Sequence, residues 1–260
     1  MRYRLSLFIK LLRTKPGMAM QYFLQAIFGG PLVFKIAGRK FYQHKDAATL
    51  YLLLDSYSKL EKMVNMIPEY TSGVIIDGGA NNGLFSFLTA LRFPSANIIA
   101  LEPSQTLKVI LDKNFRNLPI ELVPKALLDK SGRVTLYTSE SSDQVSSIFV
   151  DNVGALGHKE IGSIEVEAIS LSDLLKERNI EKIAVLKLDV QGAEYQILKN
   201  ADHILEVTDY LIIELMFIEP SIFDLMDLIR AKFPHYTVIN KVAYGADILF
   251  SKKDLGSITK

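Results

Sequence analysis

From residue 73 onward the chain alternates short apolar runs with segments of helical period, and four of those runs end on an acid. The runs at 74–77, 97–102, 183–189 and 210–214 close on Asp77, Glu102, Asp189 and Glu214. Continuous apolar runs of this length suit strands covered on both faces, which are the strands of a parallel sheet. The helical segments at 83–92, 104–116, 193–200 and 221–232 supply the crossovers that parallel strands need. The expectation is therefore an α/β, doubly wound, Rossmann-like domain. A closing hairpin from 236–241 and 246–251 adds an antiparallel strand at or near one edge. Ligands of such sheets bind at the carboxyl ends of the strands, where all four acids fall.

The remaining segments read less regularly. Strands are expected at 120–127, 133–137 and 164–169, and a helix at 171–178 with a polar, serine-rich loop at 139–162 before it. Such a loop reads as a mobile lid over an acceptor. Ahead of the alternating region, residues 3–13 and 18–28 read as helices broken at Lys15-Pro16-Gly17. Residues 32–42 read as a short hairpin or an extended arm turning near Gly38, and 46–66 as an amphipathic helix. The division expected is a basic, largely helical extension at 1–70 and a catalytic domain at 71–260.

Charge separates the two parts. Residues 1–45 hold nine Lys or Arg and no acid, while the whole chain is only +1. Nothing in that near balance points to nucleic acid. The chain has no cysteine, which excludes disulfides, thiolate metal sites and thiol nucleophiles together. Lys10, Arg13, Lys15, Gln21, Gln25 and Lys35 interrupt the N-terminal apolar runs, so neither a secretory signal nor a spanning helix is expected. The preferred reading is a helix packed on the domain. The alternative is a basic amphipathic segment that lies on a membrane surface or a partner, the first giving a cytoplasmic enzyme with a peripheral attachment.

Three constellations carry chemistry. Asp77-Gly78-Gly79-Ala80-Asn81-Asn82-Gly83 follows the first core strand and opens a helix. Glycine admits positive φ and close approach of a ligand to the backbone. The Gly-x-Gly-x-x-Gly fingerprint of a pyrophosphate cradle is absent, and the Asp77 carboxylate would repel a pyrophosphate. It suits a ligand ammonium instead, such as the amino acid end of S-adenosylmethionine. The second constellation is Glu102-Pro103-Ser104, where Glu102 ends the second strand and is placed to take both hydroxyls of a ribose, with Ser104 as helix N-cap. The third is the stretch from Lys187 to Glu194. Asp189 ends a buried strand, and Gly192 suits the turn into the next helix. Glu194 is either a helix-end stabiliser or a site residue, and Lys187 reads as the partner of a neighbouring acid.

Together these residues resemble the FkbM family of methyltransferases. The likeness runs over residues 73 to about 217, through the glycine loop, Glu102-Pro103, Ala126 with Asp129 and Gly132, Ser146-Ser147, Leu171, the 187–194 stretch and Ile213-Glu214. The resemblance implies a class I methyltransferase fold with a seven-stranded sheet, and S-adenosylmethionine as cofactor. It implies O-methylation of a sugar, glycan or other small-molecule acceptor. Asp77, Gly78, Gly79, Asn81, Gly83, Glu102, Pro103, Ser104, Ala126, Asp189 and Gln191 are the expected cofactor contacts. The chain departs from the family in having Gln191 where Glu is usual and Ser172 where Asp is usual.

A sugar hydroxyl is a weak nucleophile at neutral pH, so a general base is expected. The candidates are Asp189, then Glu214, then His158, which has a solvent-facing alternative. No metal is expected, since two acids without a nearby histidine are a poor ligand set. Two other classes stand beside this reading. One is a nicotinamide oxidoreductase, disfavoured by the missing glycine fingerprint. The other is a methyltransferase-like binding module without catalysis.

Overall fold

The computed structural model describes residues 32–43, 49–67, 72–139, 142–148, 161–217, 221–242 and 245–255, with positions 9, 12, 13, 16, 17, 19, 20 and 23 before them. Those early positions are helical, Pro16 and Gly17 included; Lys15, where the expected break begins, lies outside the described residues. A hairpin follows, with β1 (Leu32–Ile36) turning through Ala37 and Gly38 into β2 (Arg39–Gln43). Helix α1 (Thr49–Met66) then leads to the central sheet.

The sheet is built from β3 (Val74–Gly78), β4 (Asn97–Leu101), β5 (Ile120–Val123), β10 (Ile183–Leu188), β11 (Thr208–Met216), β12 (His235–Val242) and β13 (Gly245–Ser251). Their spatial order is β12-β13-β11-β10-β3-β4-β5. β5, β4, β3, β10 and β11 pair in parallel, and β13 runs antiparallel between β11 and β12. The crossover helices are α2 (Leu84–Arg92), α3 (Gln105–Asn114), α4 (Leu171–Glu177), α5 (Glu194–Leu198), α6 (Asp202–Val207) and α7 (Ile222–Arg230).

The interior strands are mostly apolar because alternate residues feed two cores. Ile76, Ile99, Leu186, Ile213 and Ile248 enter one, shared with α4, α5, α6 and α7. Ile75, Ile98, Val185, Ile212 and Leu249 enter the other, shared with α2 and with the chain ahead of the sheet. Phe34 and Phe41 of the hairpin and Tyr57, Met63 and Val64 of α1 are buried in that second core beside Phe85 and Phe87. Each of these phenylalanines contributes on the order of 1.5–3 kcal/mol by burial.

A second sheet has the order β6-β9-β7-β8, from β6 (Ala126–Leu128), β7 (Gly132–Ser139), β8 (Ser142–Ser147) and β9 (Ile161–Ser170). It corrects two expectations. The strand expected over 120–127 is two strands in different sheets. Pro124 lacks a ladder donor, and the Lys125 N–H turns back to the Val123 carbonyl at 2.8 Å. The loop expected over 139–162 contains β8 and the start of β9. Tyr137 pairs with Ser147 across β7 and β8, so polar residues are held by backbone ladders rather than by an apolar face. Residues 149–160, with His158, lie outside the described residues. Among the described residues no helix is long and apolar enough to cross a membrane.

Candidate active site

The glycine loop is shaped by two close approaches. Gly79 has φ 78°, and a Cβ there would lie 2.0 Å from the Asp189 carbonyl oxygen. Gly83, at φ 80°, faces the Phe115 ring, where a Cβ would come within 2.5 Å. The first glycine lets the end of β3 lie against the end of β10, and the second lets α2 pack on α3. Asn81 takes a left-handed φ of 51°, a region asparagine tolerates. Asn82 donates to Gln43 Oε1 at 2.9 Å, and Asn114 donates to the Asn82 and Tyr42 carbonyls at 3.0 Å. The paired asparagines thus fasten the loop to β2.

Asp77 stands behind this loop, not in front of it. It is fully buried, and it accepts from Lys187 Nζ at 2.9 Å and from Ser86 Oγ at 2.7 Å. The expectation is that Asp77 meets a ligand ammonium; its side chain is instead fully buried behind the loop and lines neither cavity beside it. Lys187 is the partner the sequence reading expected. Burial would lower its pKa, but the charges of Asp77 and Asp189 outweigh that and raise it.

Glu102 faces the opposite way. Its Oε2 accepts from the Asn81 N–H at 2.8 Å and its Oε1 from the Ser104 N–H at 3.0 Å. Burial pushes the Glu102 pKa up, opposed by these two hydrogen bonds and assisted by the Asp77 charge. A carboxylate has roughly four lone-pair sites, so each oxygen keeps one for a ligand hydroxyl. Ser104 caps α3, accepting from the Leu107 N–H at 3.2 Å.

The loop after β10 is held from within. Glu194 accepts from the Val190 and Gly192 N–H groups, both at 2.9 Å. Its role is loop clamp as well as helix-end acid. Ser147 Oγ donates to the Gln191 carbonyl at 2.8 Å, tying the second sheet to the same loop. Gln191, at φ 56°, donates its amide to Asp189 Oδ1 at 2.9 Å and to Glu214 Oε2 at 3.2 Å. A glutamate at 191 would set a third carboxylate against these two; the neutral amide bridges them.

One residue of this cluster carried no local sequence signal. Lys59 of α1 lies 2.9 Å from Asp247 Oδ1 and 3.4 Å from Glu214 Oε1. Burial would lower the Lys59 pKa, but Asp189, Glu214 and Asp247 together raise it. Burial likewise works to raise Asp189, yet the nearby Lys187 and Lys59 hold it below the usual carboxylate value. The Asp189 charge, with burial, pushes Glu214 up to about 8.

A cavity of about 740 Å³, with the open solvent at its mouth included, lies between Glu102 and this cluster. Gly79, Asn81, Glu102, Pro103, Ala126, Asp189 and Gln191 line it, with an apolar slot of Leu101, Leu107, Leu127, Leu136 and Ile148. Of the expected contacts, Asp77, Gly78, Gly83 and Ser104 are not on its wall. A Cβ on Gly78 would strike Leu127 at 2.8 Å, so that glycine serves packing. Among the described residues no group of three or more acids or histidines is arranged to hold a metal.

A parallel sheet with one reversed strand set inside its edge, a glycine loop after β3 and an acid after β4 make up the class I methyltransferase fold. Residues 77–237 match the Methyltransferase FkbM domain, and the chain belongs to that family. It is 24% identical to Methyltransferase 1 of Beauveria bassiana over 55% of this chain and 64% of that one. It is 26% identical to the hexuronic acid methyltransferase AglP of Haloferax volcanii over 55% of each. The chain thus spans under two thirds of these relatives. A SAM-dependent methyltransferase structure from Agrobacterium tumefaciens overlays with a TM-score of 0.50 at 10% identity, covering 86% of this chain and 71% of that one, which is a likeness of fold.

Proposed function

We propose that the chain transfers a methyl group from S-adenosylmethionine to a hydroxyl of a sugar, glycan or related small molecule. The observation that carries this reading is Glu102, presented to an otherwise apolar slot with lone pairs to spare. Glu102 would hold the ribose and the apolar slot the adenine, while Gly79 lets the ligand run close to the backbone. S-adenosylmethionine supplies an electrophilic methyl on a sulfonium when bound.

Glu214 is the general base we favour over Asp189. A base works best when its pKa lies near the working pH, and Glu214 is raised to about 8 whereas Asp189 is lowered. Gln191 holds Glu214 beside Asp189, whose charge raises the proton affinity of Glu214. Glu214 would take the proton of the acceptor hydroxyl, and displacement of the methyl would leave the sulfonium as a neutral thioether. A relative named for hexuronic acid methylation puts sugar hydroxyls first among the acceptors.

The test has two arms. Glu102→Ala removes two charge-assisted acceptor positions, and calorimetry with S-adenosylhomocysteine should show at least a tenfold loss of affinity, given about 1.5–3 kcal/mol for such a bond. Unchanged affinity in a folded variant overturns the cofactor assignment. Glu214→Gln should lower labelled-methyl transfer to uronate-containing glycans by roughly 10²–10⁴-fold while leaving S-adenosylhomocysteine binding intact. Undiminished transfer overturns the base.

We also propose a cytoplasmic enzyme that works at an anionic membrane surface. Ile9, Leu12, Met20 and Phe23 are exposed apolar residues among the nine positive charges of residues 1–45, the composition of an interfacial segment.

A further inference from the structure

Glu214, Asp247 and Asn240 stand in one row across the reversed edge of the first sheet. Glu214 of β11 is the register partner of Asp247 in β13, and Asp247 is the partner of Asn240 in β12. Asp189, just past β10, extends the row, and the Gln191 amide bridges it to Glu214. Like charges directly opposite on neighbouring strands repel. Here the Asp247 side chain is 1% exposed and that of Glu214 15%, so water screens them little. Lys59 of α1 is the cation held over the row, 2.9 Å from Asp247 Oδ1 and 3.4 Å from Glu214 Oε1. Its helix is fastened there, because Lys62 donates to the Ile239 carbonyl of β12 while Met63 and Val64 are buried. The Asn240 amide holds Asp247 from the other side at 3.3 Å. Lys59 and Asp189 also line a second cavity of about 500 Å³, open solvent at its mouth included, which shares Gly79, Asn81 and Asp189 with the first. The ammonium therefore acts at the edge of the site rather than in a sealed core.

We propose that Lys59 and Asp247 are a positioning pair for Glu214: Asp247 anchors the ammonium, and the ammonium holds the Glu214 carboxylate in place against Gln191 and Asp189. The inference rests on the reading of Glu214 as the base. Both members lie outside the family match at 77–237, so segments on either side of the matched stretch tune a residue lodged within it. Their charges act on Glu214 with opposite sign. Lys59 favours its ionised form, whereas Asp247 and Asp189 favour its protonated form. The pair thus sets the pH at which Glu214 becomes able to accept a proton.

The experiment titrates the full chain by NMR with label at the glutamate carboxyl carbons, Glu214 being identified by the signal lost in Glu214→Gln. Removing Lys59 alone leaves Asp247 buried without its partner, so the cation is removed on an Asp247→Asn background. Asp247→Asn takes away a neighbouring anion and should move the Glu214 midpoint down. Adding Lys59→Met should move it back up by about one pH unit or more, the usual effect of losing an adjacent opposite charge. Lys59→Arg alone, which keeps the cation, should leave the midpoint near that of the unaltered chain. Loss of packing has no reason to reverse sign between the two steps. A midpoint that fails to rise when Lys59→Met is added, or that Lys59→Arg shifts as far as the double variant does, overturns the pair. The same variants are assayed for labelled-methyl transfer to uronate-containing glycans across pH, where the acid limb should follow the order of the midpoints. Midpoints that follow this order while the limb does not would leave the pair standing and remove Glu214 as base.

Discussion

Lys187 Nζ lies 2.9 Å from Asp77 Oδ1, and both side chains are sealed beneath the glycine loop. Burying two charges is costly, and removing one partner strands the other. Asp77→Ala should therefore cost about 3–5 kcal/mol of stability, while Asp77→Leu combined with Lys187→Met should cost clearly less. Urea unfolding of both decides it. A double variant as unstable as the two single changes summed would show that the pair does not act as a unit.

Gly79→Ala places a methyl group on a backbone carbonyl, 2.0 Å from Asp189 O, at a φ of 78°. The strand ends must part to admit it. Overpacking of this kind costs about 1–3 kcal/mol or more. The variant should melt at lower temperature and lose S-adenosylhomocysteine binding, because Asp189 shifts with the loop. Normal binding in the variant would mean that the loop yields without moving the cavity wall.

Glu194→Ala frees the N–H groups of Val190 and Gly192, each bonded at 2.9 Å. Charge-assisted bonds contribute about 1.5–3 kcal/mol apiece. Hydrogen exchange at those two amides should accelerate well before any change in the sheet. Glu194→Gln, which keeps an acceptor, should exchange more slowly than the alanine variant.

The raised Glu214 pKa fixes a sign. Glu214 binds its proton more tightly folded, at about 8, than its ordinary value of 4.5. The folded state then carries the extra proton between those limits, so this contribution to stability is full below about pH 4.5 and lost as pH rises through about 8. Relative to Glu214→Gln, the unaltered chain should lose stability from pH 5 to pH 9, read from urea midpoints. A constant difference would place Glu214 at an ordinary carboxylate value. Methyl transfer should rise over the upper part of the same window as Glu214 becomes able to accept a proton.

The basic N-terminal segment should sediment the chain with anionic vesicles at low salt, release it at moderate salt and leave neutral vesicles unbound, because each Lys or Arg contributes roughly 1 kcal/mol near such a surface and salt screens it. The control must be cut before Leu32, since Phe34 and Phe41 are core residues. Equal binding with and without the segment would dismiss the membrane role.

The alternating strands and helices were legible because the interior strands of the first sheet are covered on both faces, which leaves a nearly uninterrupted apolar run. The second sheet was not. Ser142–Ser147 is polar, and what makes it a strand is a ladder to β7, a relation between segments rather than a pattern within one. Helix α6, Asp202–Val207, is too short to show a helical period. In the site, Glu102, Asp189 and Glu214 announced themselves as acids at strand ends. Asp77 made the same announcement and faces inward, since its partner Lys187 lies 110 residues away in sequence. Lys59 reaches Glu214 across 155 residues, and nothing in its own helix distinguishes it from any surface lysine.

The strand order has a consequence for how such a gene segment could be exchanged between proteins. The recognisable family unit, residues 77–237, begins inside β3 and ends inside β12, and it leaves out β13, which lies between β11 and β12. A chimera spliced at those borders would put β11 and β12 on either side of a missing interior strand and strip one core of Phe34, Phe41 and Tyr57. A transplantable piece must reach at least from the first hairpin through β13. Recombination or engineering that respects only the recognisable motif would carry over the chemistry without the walls that hold it.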